Sequence, residues 1–159
     1  MKIELTRSSH SVGETNLHLQ FTPAFRRWIF EVELTRILVR DYFLAQARRK
    51  KFEITAIGFG DDHVHLFVTN WKNYSPAKLA QLLKGFVSRM MREHHYDLFK
   101  RYLYGKKFWS GGYFCRTVGS VNATTVKRYV EQSQEYGYKE SELHEAKTQK
   151  KLIEFLSRN

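Results

Sequence analysis

The stretch Asp61-Asp62-His63-Val64-His65-Leu66-Phe67-Val68 holds the residues best suited to chemistry. On an extended strand, side chains two positions apart share a face. His63 and His65 can therefore aim two imidazoles at one metal while Val64, Leu66 and Val68 turn toward a core. Imidazole is a ligand for several divalent ions, and two such ligands leave coordination positions open for phosphate oxygens. Two solvent-facing histidines on a half-buried strand would show the same pattern. Spacing alone leaves both readings open.

Tyr129 is the second candidate. It sits in Thr124-Thr125-Val126-Lys127-Arg128-Tyr129-Val130-Glu131-Gln132-Ser133-Gln134, a polar, basic stretch within a helix predicted from about 124 to 136. A phenol flanked by Lys127 and Arg128 lies in positive potential, which favours the phenolate and attracts phosphate. The alternative is an aromatic packed beside Val126 and Val130. Further cations fall at Arg26-Arg27 and on the second predicted helix, where Lys84, Ser88 and Arg92 share one polar face and Arg89 lies beside them. That face suits phosphate contacts. Arg48 to Lys51 reads as a solvated helix end, where cations complement the dipole.

The elements that must position these groups follow from periodicity. From Thr15 to Thr22, Leu17, Leu19 and Phe21 alternate with His18 and Gln20, which predicts a strand. Pro23 ends it. A long helix is expected from Arg26-Arg27 to about Lys51, with Phe30, Leu34, Leu38, Tyr42 and Ala45 as its buried stripe. Phe52 to Gly58 and His63 to Asn70 predict two strands joined by Gly58-Phe59-Gly60-Asp61-Asp62. Ser75 or Asn73 caps the next helix and Pro76 suits its first turn, with Leu79, Leu82, Leu83, Phe86 and Met90 as its apolar face. A strand through Phe114, Arg116 and Val118 follows Gly111-Gly112, with Cys115 read as an inert buried thiol. The order β-α-β-β-α-β-α suits a ferredoxin-like (RRM-like) plait of the α+β class, an antiparallel sheet with helices on one face. Residues 139–159 are expected to form a peripheral helical extension to a single domain of residues 1–138.

Composition narrows the partners. The 159 residues are close to one domain of roughly 150, and 27 Lys and Arg against 16 Asp and Glu give a formal charge of +11. Such an excess on a small body calls for a polyanion, nucleic acid or an anionic membrane surface. The apolar runs are too short for a membrane-spanning helix of about 20 residues. Met1-Lys2-Ile3-Glu4-Leu5 places charge where a signal peptide needs apolar residues. Cys115 is the single cysteine, so no intramolecular disulfide or cysteine-based zinc site can form. A reducing cytoplasm is expected.

Several segments, in order, resemble the single-tyrosine HUH transposases of the insertion-sequence 200/605 family. His18-Leu19-Gln20-Phe21-Thr22-Pro23-Ala24-Phe25-Arg26-Arg27 is similar to that family's first strand and basic turn. Asp62-His63-Val64-His65-Leu66-Phe67-Val68 matches its histidine-hydrophobe-histidine motif. Leu83-Lys84-Gly85-Phe86-Val87-Ser88-Arg89 resembles the middle helix. Tyr113-Phe114-Cys115-Arg116-Thr117-Val118-Gly119 and Val126-Lys127-Arg128-Tyr129-Val130-Glu131 resemble the last strand and the nucleophile helix. The resemblance runs from about residue 15 to 134.

It implies a homodimer with composite active sites that binds single-stranded DNA hairpins at transposon ends. It implies Tyr129 as nucleophile, His63 and His65 as ligands of Mg²⁺ or Mn²⁺, and cleavage through a 5′-phosphotyrosine. Arg26, Arg27, Lys84, Ser88, Arg89, Arg92, Lys127 and Arg128 are the residues expected to meet DNA. Ser133 occupies the position, four residues after the tyrosine, where the family usually has a glutamine as third ligand. Gln132 or Gln134, through a local helix irregularity, or a water would then complete the shell. Two other functions fit the same elements. One is a non-catalytic binder that stacks bases on strand aromatics. The other is a domesticated HUH endonuclease acting on repeated palindromes.

Overall fold

The computed structural model describes residues 6–8, 11–13, 16–103, 105, 107–118, 127, 128 and 131. Its elements in chain order are β1 (Thr6–Ser8), β2 (Ser11–Gly13), β3 (Asn16–Phe21), α1 (Glu33–Lys50), β4 (Glu53–Phe59), β5 (Val64–Thr69), α2 (Pro76–Phe99) and β6 (Phe114–Thr117). Two 3-10 turns, Ala24–Arg26 and Ile29–Glu31, lie between β3 and α1. The main sheet has the order β4-β5-β3-β6 with every neighbour antiparallel. Such an order, with one helix crossing between β3 and β4 and another between β5 and β6, is the expected ferredoxin-like plait. β1 and β2 pair separately as a short hairpin, whose three-residue strands are too short to show a period of two in the sequence.

Alternation builds the sheet's two faces. Leu17, Leu19 and Phe21 of β3 and Val64, Leu66 and Val68 of β5 are fully buried, in one core with Val39 and Phe43 of α1 and Leu79, Leu83 and Val87 of α2. His18, Gln20 and His65 therefore take the opposite face. In β4 the register shifts between Ile54 and Ala56, after which Ile57 and Phe59 join the core. Ala56 then packs with Phe67 and Val118 in a second, smaller cluster.

Both helices differ in detail from expectation. α1 begins at Glu33, because the 3-10 turns use up the first residues after Pro23. Its buried residues are Thr35, Val39, Phe43, Gln46 and Ala47, one position on from most of the predicted stripe. The stripe is wide enough to serve two neighbours: Phe43 meets Phe21 of the sheet, while half-buried Tyr42 meets Phe86 of α2. In α2, Leu79 and Leu83 are buried as predicted, joined by Ala80, Val87, Met91 and Phe99, while Leu82, Phe86 and Met90 are half-buried. Ser75 caps α2 by accepting from the Lys78 amide at 3.1 Å, and Pro76 follows at a position that needs no donor.

The four residues of β6 are all exposed, Cys115 among them, so that thiol is not buried. Among the described residues β6 is an edge strand with one neighbour, β3. The chain reaches it through Phe108–Ser110, which runs beside the end of β3: the Ala24 amide donates to the Phe108 carbonyl at 3.0 Å and the Ser110 amide to the Thr22 carbonyl at 2.9 Å. Lys84 of α2 fixes the next residues by donating from Nζ to the carbonyls of Ser110 (2.7 Å) and Gly112 (2.8 Å). The predicted helix at 124–136 and the extension at 139–159 lie outside the described residues except for Lys127, Arg128 and Glu131, which are helical.

Candidate active site

β5 starts at Val64, so His63 stands at the last position of the β4–β5 loop and His65 on the strand itself. The two rings still meet on one side of the sheet, with centroids 4.8 Å apart. Gly60 makes this loop possible. Its amide donates to the His63 carbonyl at 2.9 Å, and a Cβ on Gly60 would lie 2.3 Å from the His63 Cε1. No other residue leaves that volume to the imidazole.

Each imidazole is held through its Nδ1. His63 Nδ1 is 2.7 Å from Asp62 Oδ1, and Asp62 Oδ2 accepts from Arg26 Nε at 3.1 Å. Burial pushes the Asp62 carboxyl up. The hydrogen bonds from His63 and Arg26, with their charges, outweigh it and hold the group below its ordinary value. Asp62 is thus an acceptor, and His63 Nδ1 must donate to it. His65 Nδ1 lies 2.9 Å from His18 Nε2 on β3, where the register sets His18 diagonally across from His65. A neutral His65 donating to His18 presents Nε2 as its lone-pair nitrogen. With Nδ1 held by a partner in both rings, Nε2 would be the atom offered to a metal, the arrangement that metal-ligating histidines commonly take.

Electrostatics favours the same state. His65 is 6% exposed. Burial, then the charges of His63 and His18, pushes its pKa down to about 4. His18 is also lowered, by burial and by Arg116. Neutral imidazoles are the ligating form. The residues present therefore fit a divalent ion with two nitrogen ligands, although among the described residues no group of three His, Cys, Asp or Glu side chains could hold one. Gln132 and Gln134, together with Ser133 and Tyr129, lie outside the described residues.

A pH effect follows. Between pH 6.5 and 4 the unfolded chain takes up a proton at His65 that the folded chain refuses. The stability linked to neutral His65 is whole above pH 6.5 and is lost as pH falls toward 4. After discounting for solvent screening, it is on the order of 2 kcal/mol. Thermal melts of the metal-free protein at pH 7 and 4.5 measure it against His65→Gln. The variant's drop should be the shallower, and equal drops would refute the assignment.

The partners of the two histidines were not among the candidates. Asp62 is adjacent to His63 in sequence, so the signal was there. His18 is visible as a residue, but only the β3–β5 register brings it to His65. Arg26, expected to meet DNA, is engaged with Asp62 while its side chain remains mostly exposed. It reaches Asp62 from a turn in which Phe25 and Arg26 have φ of 57° and 50°. Left-handed non-glycine residues cost roughly 1–2 kcal/mol each, so this geometry is maintained against strain. Asp62→Asn should lower Mn²⁺ affinity by about 10- to 100-fold and leave the melting temperature nearly unchanged. Calorimetric titration with Mn²⁺ checks this, and an unaltered affinity would exclude Asp62 as the residue that orients His63.

The other predicted cations spread along the molecule. Arg27 and Arg128 are exposed and Lys127 half-buried. On α2, Ser88 and Arg92 are half-buried and Arg89 lies over the Phe86 ring at 5.8 Å. Lys84 points to the carbonyls before β6, which uses two of its three donors. Burial lowers its pKa.

The family profile described as "Transposase IS200 like" matches residues 11–133, which include the histidine pair, its partners and Tyr129. The chain belongs to the IS200-like transposases. No protein in the curated set matches. Two solved structures share this transposase's fold. One, from Deinococcus radiodurans R1, is described as a presumptive transposase: it is 21% identical, with a TM-score of 0.63, over 80% of this chain and 97% of that one. The other, a REP-associated tyrosine transposase bound to a REP hairpin, is 12% identical, with a TM-score of 0.56, over 79% of this chain and 70% of that one. Among the described residues no helix of this transposase is long and apolar enough to cross a membrane.

Proposed function

We propose that this transposase cuts and rejoins single-stranded DNA at hairpin-bearing transposon ends, with Tyr129 as nucleophile and Mg²⁺ or Mn²⁺ as cofactor. One observation carries the reading. Two imidazoles stand on one side of the sheet, 4.8 Å apart, each with its Nδ1 hydrogen-bonded. His63 and His65 would hold the metal, with Gln132, Gln134 or a water completing the shell. A bound ion would supply Lewis-acid polarisation of a phosphate oxygen. The +11 charge supports a polyanionic substrate, and the neighbour solved on a REP hairpin supports a hairpin.

The residues divide the work. The Tyr129 oxygen attacks phosphorus in line with the 3′ oxygen of the preceding nucleotide. The P–O3′ bond breaks as the P–O(Tyr) bond forms. The phenolic proton passes to solvent or a neighbouring polar group, and the leaving oxygen takes up a proton as a free 3′-hydroxyl. One phosphodiester is exchanged for another, so a second 3′-hydroxyl can attack the phosphotyrosine and rejoin strands without ATP. Lys127 and Arg128 precede Tyr129 in the sequence, and positive charge near the phenol would favour its ionised form. A homodimer would let the tyrosine helix of one subunit serve the histidines of the other.

The test uses the full chain, a single-stranded oligonucleotide carrying a hairpin with a labelled flank, and Mn²⁺. A covalent protein–DNA species should appear on a denaturing gel, and peptide mass spectrometry should place the nucleotide on Tyr129. Binding without any adduct would leave the non-catalytic reading in its place. An adduct on another residue would displace Tyr129.

A further inference from the structure

The turn that delivers Arg26 to Asp62 also holds two large aromatic rings in solvent. Phe25 is 74% exposed and Trp28 53%, the two most exposed large hydrophobic side chains among the described residues. They lie three residues apart with Arg26 and Arg27 between them. This is no loose loop. Ala24 before it is buried and bonded to the Phe108 carbonyl, and Ile29 and Phe30 after it are fully buried. Within it, the Arg27 amide donates to the Ala24 carbonyl and the Ile29 amide to the Arg27 carbonyl. The Phe30 amide donates to the Asp61 carbonyl at 3.2 Å and Arg26 pairs with Asp62, so the turn is pinned twice to the loop that carries His63.

Hydrophobic burial would draw both rings inward. Here the backbone instead takes up left-handed conformations at Phe25 and Arg26, and Phe25 stays outside. Pinned rings interleaved with guanidinium groups match one class of ligand closely. Unpaired bases stack on aromatic faces while the backbone phosphates meet cations. Duplex DNA has its bases already stacked and offers no free ring face.

We propose that the Phe25–Trp28 turn is a stacking platform for unpaired bases of single-stranded DNA, next to the histidine pair. The inference rests on the proposed action on single-stranded DNA and specifies how the strand is held there. Its occupant is DNA rather than a second copy of the chain, because the rings are set among cations on a body of charge +11 and are tethered to the loop that carries a candidate ligand.

Trp28 is also a reporter, since Trp71 is half-buried and Trp109 is 6% exposed. The full-length protein is titrated in EDTA, which prevents cleavage, with a dye-labelled oligonucleotide carrying a hairpin and an unpaired flank. Tryptophan fluorescence should be quenched on binding, and the quench should vanish in Trp28→Leu. By anisotropy, Phe25→Leu and Trp28→Leu should each weaken binding about 5- to 100-fold, the loss of one stacked base, while Phe25→Tyr stays within about twofold of wild type. Melting temperatures should not move, since both rings are exposed. Wild-type affinity in both leucine variants would overturn the platform even if the Tyr129 adduct forms normally. So would a shift in sedimentation from dimer to monomer in those variants with strand affinity intact, which would make the turn a contact between copies. A wild-type protein that neither binds the strand nor forms the adduct would overturn the proposed function and the platform together.

Discussion

Tyr129→Phe is expected to abolish the covalent DNA adduct and to lower strand cleavage by at least ~10³-fold, the scale seen when a catalytic nucleophile is removed. The substitution deletes one oxygen and keeps the ring, so it removes the attacking atom alone. Affinity for the hairpin should stay within a few-fold, because one phenolic oxygen is a small part of what a body of charge +11 can offer a phosphate backbone. A labelled strand run on a denaturing gel measures adduct and cleavage, and anisotropy measures binding. The split between the two is the informative part. A purely structural tyrosine would lose binding and melting temperature along with any activity. An adduct that persists in the phenylalanine variant would assign the attack to another side chain. Cleavage that persists without an adduct would mean water is the nucleophile, and strand rejoining through a phosphotyrosine would be ruled out.

Gly60→Ala should be nearly as damaging, although it adds a single methyl group. The added Cβ would stand 2.3 Å from His63 Cε1, 2.8 Å from Nδ1 and 2.9 Å from Nε2, too close for any contact between unbonded atoms. The imidazole must swing away, which breaks its bond to Asp62 and removes its Nε2 from the partner ring on His65. The backbone itself tolerates alanine, since Gly60 does not occupy the left-handed region. The damage is therefore confined to the ring. Expected are a fall in Mn²⁺ affinity of about 10- to 100-fold, at least the same fall in adduct formation, and a melting temperature within a few degrees of wild type. Calorimetric titration, the gel assay and a thermal melt provide the three readings. Intact Mn²⁺ binding in Gly60→Ala would show that the orientation of His63 does not matter.

Much of this architecture could be read from residue types. Alternation in Leu17-His18-Leu19-Gln20-Phe21 and in Val64-His65-Leu66 placed two strands and sorted their faces, because burial of one face leaves a period of two. Ser75-Pro76 marked the start of α2 through capping chemistry. The start of α1 was hidden, since two 3-10 turns carry no periodicity of their own and Phe30, though fully buried, belongs to the second turn rather than to the helix. The exposure of Cys115 was equally hidden, because an edge strand with both faces open looks in sequence like a buried aromatic one. For the site, the His63–His65 pair was legible from spacing, while its supports were not. His18 and Arg26 come to His65 and Asp62 across 47 and 36 residues. Lys84 reads as a cation for phosphate, yet it bonds backbone carbonyls 26 and 28 residues away. Tertiary pairing decides such partnerships, and composition does not record it.

The alternation along β5 has a consequence for how this protein can change. Val64, Leu66 and Val68 hold the sheet to the helices, and His65 between them faces away from that core. Under the proposed function, a substitution at the histidine would silence the chemistry while the domain still folds and keeps the charge that attracts a polyanion. A one-residue insertion or deletion in the strand cannot be so selective, because it exchanges the two faces and takes stability and reactivity together. Point mutation should thus yield folded, inactive proteins that compete with active copies for the same DNA, whereas frame-preserving indels in β5 should yield no folded protein.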